Sequence, residues 1–158
     1  MSLTPYQMQP QDDPAPVLAL IRAAFADMAG RIDPPSSAGA LTGAEVRRQA
    51  AEGEVWLIGR APEACVFLTP KPGALYIGKL ATAEGARRRG HARALITLAE
   101  ARARALGLPL LELQSRIELV ENHNAFKAMG FAVVGATRHP GYRRDTSLTF
   151  RRTVPEAP

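Results

Sequence analysis

The sequence predicts a layered protein of α+β or mixed α/β class, and three observations carry that prediction. Helical and strand-like apolar periods interleave along one chain instead of segregating into blocks. Three consecutive extended runs near the centre are joined by short proline-bearing links. A long helical stripe follows them and is itself followed by more strands, an order that buries apolar faces by laying helices on a sheet. With 158 residues, 46% of them hydrophobic, the chain can bury a core without staples, and residues 1–158 read as a single domain.

Residues Leu3 to Gln9 are expected to open the fold as a strand. Asp12 or Asp13 before Pro14 marks a helix start, with a side-chain acceptor and a pre-set φ. Val17, Leu18, Ile21, Phe25 and Met28 then recur at helical spacing, so this helix faces a core and ends near Gly30. Residues 31–37 carry turn chemistry and two prolines, which predicts an exposed loop. A short helix from Thr42 to Ala51 follows.

Extended runs are expected at Glu54 to Arg60, Ala64 to Pro70 and Ala74 to Ala83. Their links are short enough for an antiparallel meander. Leu95, Leu98, Ala99, Ala105 and Leu106 mark a long helix from Gly90 to Leu106, stopped by Gly107 and Pro109. Leu108 to Arg116 reads as a strand, Val120 to Met129 as a helix closed by Gly130, and Phe131 to Thr137 and Thr146 to Thr153 as two last strands. The order is βααβββαβαββ, without internal repeats.

The one cysteine, Cys65, allows no intrachain disulfide and suits a reducing compartment. It lies in an apolar run and reads as a core residue. No basic segment leading into an apolar stretch opens the chain, and no run of about 18 apolar residues occurs, so the expectation is a cytoplasmic protein without a membrane partner. The formal net charge is +5. That charge fits nucleic acid, an acidic partner or a phosphorylated ligand, and only its placement separates them. The pairs Arg143-Arg144 and Arg151-Arg152 read equally well as a solvated basic face.

The cluster Arg87-Arg88-Arg89 is different, because it stands between a strand ending at Ala83 and the long helix opened by Gly90-His91-Ala92. A helix N-terminus offers unpaired N–H groups and a partial positive charge, so an anion, phosphate above all, is favoured there. Small residues at Gly90 and Ala92 permit close approach. Neither GxxxxGK[ST] nor GxGxxG is present. The pattern is Arg-x-x-Gly-x-Ala after a strand, and this resembles the pyrophosphate loop of the GNAT acetyltransferase family. A second segment agrees: Asn122-His-Asn-Ala-Phe126-Lys-Ala-Met-Gly130-Phe131 resembles that family's closing helix, commonly Asn-x-x-x-Tyr-x-x-x-Gly-Phe. The likeness covers Ala74 to Val154 by motif and the first half by order of elements.

The resemblance implies a central mixed sheet with helices on both faces, and acetyl-CoA as cosubstrate. The strand at Ala74 to Ala83 would splay from that at Leu108 to Arg116, with the pantetheine arm between them on backbone groups of Leu80 and Thr82. Backbone amides of Arg88, Arg89, Gly90, His91 and Ala92, with the Arg87 side chain, would hold the pyrophosphate. Asn122 would bond near the pantetheine end or simply start its helix, and Phe126 would border the same arm. The implied chemistry is direct attack of an amine on the thioester, with the Leu80 N–H as oxyanion donor.

Two departures from the family stand out. Phe126 replaces the usual tyrosine acid, and Tyr76 stands where some relatives place a glutamate base. Substitutes are Glu112, as base, or Gln114 on the same strand face, and Tyr142, as acid, or His139 from the turn at residues 139–142, although Tyr142 also reads as an aromatic lid. The three histidines share no metal-ligand spacing, so no metal is expected.

By the same resemblance the acceptor is read by the loop from Arg31 to Ala40 and the turn from Arg138 to Asp145. Arg31 and Asp33 would recognise a zwitterion or carboxylate, or else pair with each other, and Tyr76, Gln114 and His139 would complete the site. An amine-bearing small molecule is the expected partner, and a homodimer the expected assembly. The alternatives are a catalytically silent acetyl-CoA sensor and a basic nucleic-acid-binding module. The second lacks the aromatics of an RNA-recognition sheet.

Overall fold

Seven strands form one mixed sheet in a computed structural model that describes residues 3–156. The strands are β1 (Tyr6–Gln7), β2 (Glu54–Ile58), β3 (Ala64–Lys71), β4 (Ala74–Thr82), β5 (Leu110–Arg116), β6 (Ala132–Thr137) and β7 (Ser147–Thr153), and the helices are α1 (Ala15–Ala26), α2 (Gly43–Glu52), α3 (His91–Ala105) and α4 (Val120–Ala128). Spatial order is β1-β2-β3-β4-β5-β7-β6. Only β4 and β5 run parallel. The expected meander is therefore β2 to β4, and the element order is the predicted one apart from a 3-10 turn at Ser37–Ala40.

Alternation along β3 explains the two layers. Ala64, Val66 and Leu68 join the core that α3 closes with Leu95, Ile96, Ala99 and Ala103, while Cys65 and Phe67 face the core of α1 and α2, built on Val17, Ile21 and Val46. Successive strand residues point to opposite faces, so a strand buried on both reads as a continuous apolar run. Helices thus flank both faces of the sheet.

Local chemistry sets the helix ends. Thr42 and Glu45 form a reciprocal capping box at α2, each side chain bonding the other's amide at 3.2 and 3.1 Å. Leu108 N–H reaches Ala103 O at 2.8 Å and Gly107 N–H reaches Arg104 O at 3.1 Å. Gly107, at φ +71°, closes α3 in this paired-bond stop because no Cβ resists the left-handed turn. Asp13 accepts from Ala15 N–H at 3.0 Å, the expected side-chain acceptor at the start of α1.

Two elements are shorter than expected. β1 pairs only as Tyr6 and Gln7 against Leu57 and Trp56, since the flanking Pro5 and Pro10 have no N–H to give a ladder. α1 ends at Ala26, a turn before Gly30, because the chain tightens into i to i+3 bonds from Met28 to Phe25 and from Ala29 to Ala26.

Candidate functional site

The parallel ladder between β4 and β5 runs only from Ala74 opposite Leu110 to Ile77 opposite Leu113. Beyond it both strands continue without each other, β4 to Thr82 and β5 to Arg116. The expected splay is present. A β-bulge marks the place: Cys65 faces Ala81 and Phe67 faces Gly78, so Lys79 and Leu80 together oppose Val66. Lys79 takes φ +48°, and its carbonyl accepts from Cys65 Sγ at 3.4 Å. Bulges bend the strand and re-aim its groups, and this one turns β4 away at Leu80.

The chain then enters the turn before α3. Arg88 at φ +67° and Gly90 at φ +85° are both left-handed. A non-glycine residue in that region is uncommon, and alternation of hand in successive residues gathers amides into an anion-binding concavity. The earliest α3 amide to make a helical bond is Ala94, to Gly90 O at 2.9 Å. The amides of His91, Ala92 and Arg93 precede it. Behind them the buried His91 ring holds Glu63 through Nε2 at 2.9 Å, while its Nδ1 has no partner.

Two cavities meet at this parting and share Phe25, Met28, Leu80, Leu119 and Asn122. The larger, of about 660 Å³, runs over Thr82, Arg87, Arg88, Gly90, His91 and Ala92. The other, of about 410 Å³, lies between the strands and the loops, over Tyr76, Lys79, Gln114, Ser115, Phe126 and His139. Most of the predicted cofactor residues thus gather on one side; Phe126 lines only the smaller cavity, and Arg89 lies outside both linings and approaches Glu63 at 3.9 Å. The Arg87 guanidinium binds Asp27 at 2.9 Å rather than standing open.

On the strand side Tyr76 is half-buried, and burial, then the charge of Glu112, raises its phenol above the usual range. Gln114 bonds Thr149 Oγ1 at 3.4 Å. His139 is held by its amide on Thr146 Oγ1 at 2.9 Å and by Nδ1 on the same oxygen. Asn122 lies in the first turn of α4, whose cap is Leu119. It lines both cavities. Phe126 packs edge-on against Phe131 and Phe150.

Several expectations are corrected. Glu112 is buried away from both cavities, between Lys71 at 2.5 Å and Arg151 at 2.8 Å. Burial pushes its carboxyl up, but those hydrogen bonds and charges more than reverse this and leave it below the usual range. A carboxylate so held is a poor base. Tyr142 also lines neither cavity; its hydroxyl donates to Asp33 Oδ1 at 2.6 Å, and that bond raises its pKa. It ties the two acceptor loops together instead of facing the parting. Arg31 and Asp33 do not pair with each other: Arg31 binds Glu121 at 2.5 Å beside the larger cavity, and Asp33 serves Tyr142 and Arg144.

Three cavity residues went unnoticed in the sequence. Lys79 and Ser37 approach to 3.5 Å, and Ser115 Oγ is buried without a partner. A serine in an apolar strand is too common to signal itself, and the bulge that presents Lys79 depends on register. Cys65 is fully buried, which drives its thiol up to about 12, as a core residue requires.

A mixed sheet that parts after four parallel pairs and leads into an amide concavity at a helix start fits an acetyltransferase fold. The chain belongs to the GNAT family: the pattern described as Acetyltransferase (GNAT) family matches residues 38–131, more than half of it. Solved structures agree on the fold. The ribosomal-protein-S18-alanine N-acetyltransferase from Escherichia coli superposes with a TM-score of 0.74 at 14% identity, covering 98% of this chain and 96% of that one. A GNAT acetyltransferase of Elizabethkingia anophelis with acetyl-CoA bound gives 0.70 at 15%, covering 95% and 97%. No curated protein matches in sequence. At such identities the likeness speaks for fold alone.

Proposed function

We propose that residues 1–158 act as one acyl-CoA-dependent N-acyltransferase domain, moving an acetyl group from acetyl-CoA to the amine of a small molecule. The observation that carries this reading is the continuity of the β4–β5 parting with the amide concavity of Arg88 to Ala92. The residues present suit the cosubstrate: a slot between strands for an extended arm, a left-handed turn for diphosphate, and an orphaned hydroxyl, Ser115 Oγ, in the parting.

Acetyl-CoA, when bound, supplies an acyl thioester whose carbonyl carbon takes the amine nitrogen while the C–S bond breaks and the thiolate leaves. The amides of Arg88, Gly90, His91 and Ala92 hold the diphosphate, and Leu80 and Thr82 offer backbone groups to the arm. The Leu80 N–H, re-aimed by the bulge, stabilises charge developing on the carbonyl oxygen. Ser115 donates a hydrogen bond to the departing sulfur, the task that Tyr142 and Phe126 cannot perform. The amine's proton passes to water.

A neighbour that carries acetyl-CoA supports the cosubstrate. No helix among the described residues is long and apolar enough to cross a membrane. Pairing of two copies would use β6, an exposed edge bearing Val133 and Val134.

Thermal unfolding with saturating acetyl-CoA, against ATP at equal concentration, tests the reading. Ligand at about 100 times its Kd adds roughly 2.7 kcal/mol, so a shift specific to acetyl-CoA and lost in Gly90→Glu is expected. No shift in the wild-type protein would sink the reading. Binding without thiol release over a broad amine panel would leave the sensor.

A further inference from the structure

The smaller cavity carries an unbalanced charge. Its charged lining residues are Lys79 and Arg116, and no aspartate or glutamate lines it among the described residues. Arg116 is committed, donating to Pro34 O at 2.6 Å and Pro35 O at 3.1 Å. Lys79 is not. Its ammonium meets only Ser37 Oγ, at 3.5 Å, and no carboxylate of the described residues comes within ion-pair distance. Burial holds its pKa below the usual lysine range, with the charge of Glu45 acting the other way. Glu45 itself is engaged in the capping box of α2.

The backbone presents this side chain at the cavity wall. Lys79 occupies the left-handed bulge position, a conformation that side-chain-bearing residues rarely adopt. Lys79 is half-buried, so its ammonium is partly withdrawn from water with no counter-ion in reach, and a guest anion that supplied one would be favoured. The nearby Ser37 hydroxyl adds a second donor, and a cation beside a hydroxyl matches the two oxygens of a carboxylate.

Resting on the acyltransferase reading, we propose that the acceptor is an amino acid or similar amine bearing a carboxylate, which docks on Lys79 and Ser37 and leaves its amine towards Leu80. This assignment also answers the missing base. A site lined by positive charge disfavours an ammonium ion, so the acceptor amine meets the thioester neutral, its proton already released to water. A polyamine or other multiply cationic acceptor is disfavoured in this cavity by the same repulsion.

The test is calorimetric titration of the CoA-saturated protein with the twenty amino acids and, in parallel, their amides. At least one acid should bind ten-fold or more tightly than its amide and be acetylated when acetyl-CoA replaces CoA. That discrimination should vanish in Lys79→Met and survive in Lys79→Arg, both checked for folding by thermal unfolding. Equal binding of acids and amides, no binding of any acid, or discrimination that persists in Lys79→Met would overturn the proposal alone. Failure to take up CoA in the same cell would instead sink the acyltransferase reading beneath it.

Discussion

At the level of single side chains, the proposed transfer turns on Ser115 and Phe126, the residues that would meet the thiolate. Phe126 brings a ring to an aromatic cluster and no proton, whereas Ser115 brings a buried hydroxyl that bonds nothing in the free protein. Removing a hydroxyl without a partner costs little stability, because no hydrogen bond is lost. Ser115→Ala is therefore expected to unfold at the wild-type temperature or slightly above. Its kcat should fall about ten-fold with KM for acetyl-CoA unchanged, as for an interaction made only in the transition state. Steady-state kinetics beside a melting curve checks both, and an unchanged kcat would remove Ser115 from the mechanism.

Among elements, α3 matters most, since its start supplies the amide concavity. Its other end is tied to β2: Arg102 forks onto Glu54, Nε to Oε1 and Nη2 to Oε2, each at 2.8 Å, and Trp56 Nε1 adds a third bond at 2.7 Å. Arg102→Ala leaves a buried carboxylate with one donor, and should cost about 1–3 kcal/mol by urea unfolding. It should also weaken acetyl-CoA binding measurably, because the helix that aims the amides loses its anchor. Element lengths were largely legible, as the α3 stripe and its Gly107 stop illustrate. The bulge at Lys79 and Leu80 was not: it arises from how β3 and β4 register, which neither strand encodes alone.

Across the whole molecule two buried carboxylates stitch elements distant in sequence. Glu112 joins β5 to β3 and β7 through Lys71 and Arg151, and Glu54 joins β2 to α3. For both, burial raises the carboxyl and the hydrogen bonds and charges of the partners lower it further than burial lifts it. Folded values thus lie below the unfolded one, 4.5. Their stabilisation is complete above that pH and is lost as pH falls through the folded values. Urea midpoints measured from about pH 3 to 7 should drop at the acid end. A Glu54→Gln, Glu112→Gln double variant should be less stable near neutrality and show a flatter acid limb.

By itself the sequence determined the order of elements, the layering and most of the residues that line the larger cavity of the candidate site. Those rest on periods of 3.6 and 2, on local stop signals, and on a contiguous run from Arg87 to Ala92 whose amides share one turn. The acceptor side depended on tertiary structure. Glu112 and Tyr142 bear the right functional groups, yet packing engages one with Lys71 and Arg151 and the other with Asp33. Lys79 and Ser37 stand 42 positions apart and meet only because a bulged strand and a loop converge. Side-chain chemistry can be read residue by residue, but which groups remain uncommitted follows from partners that folding alone brings near.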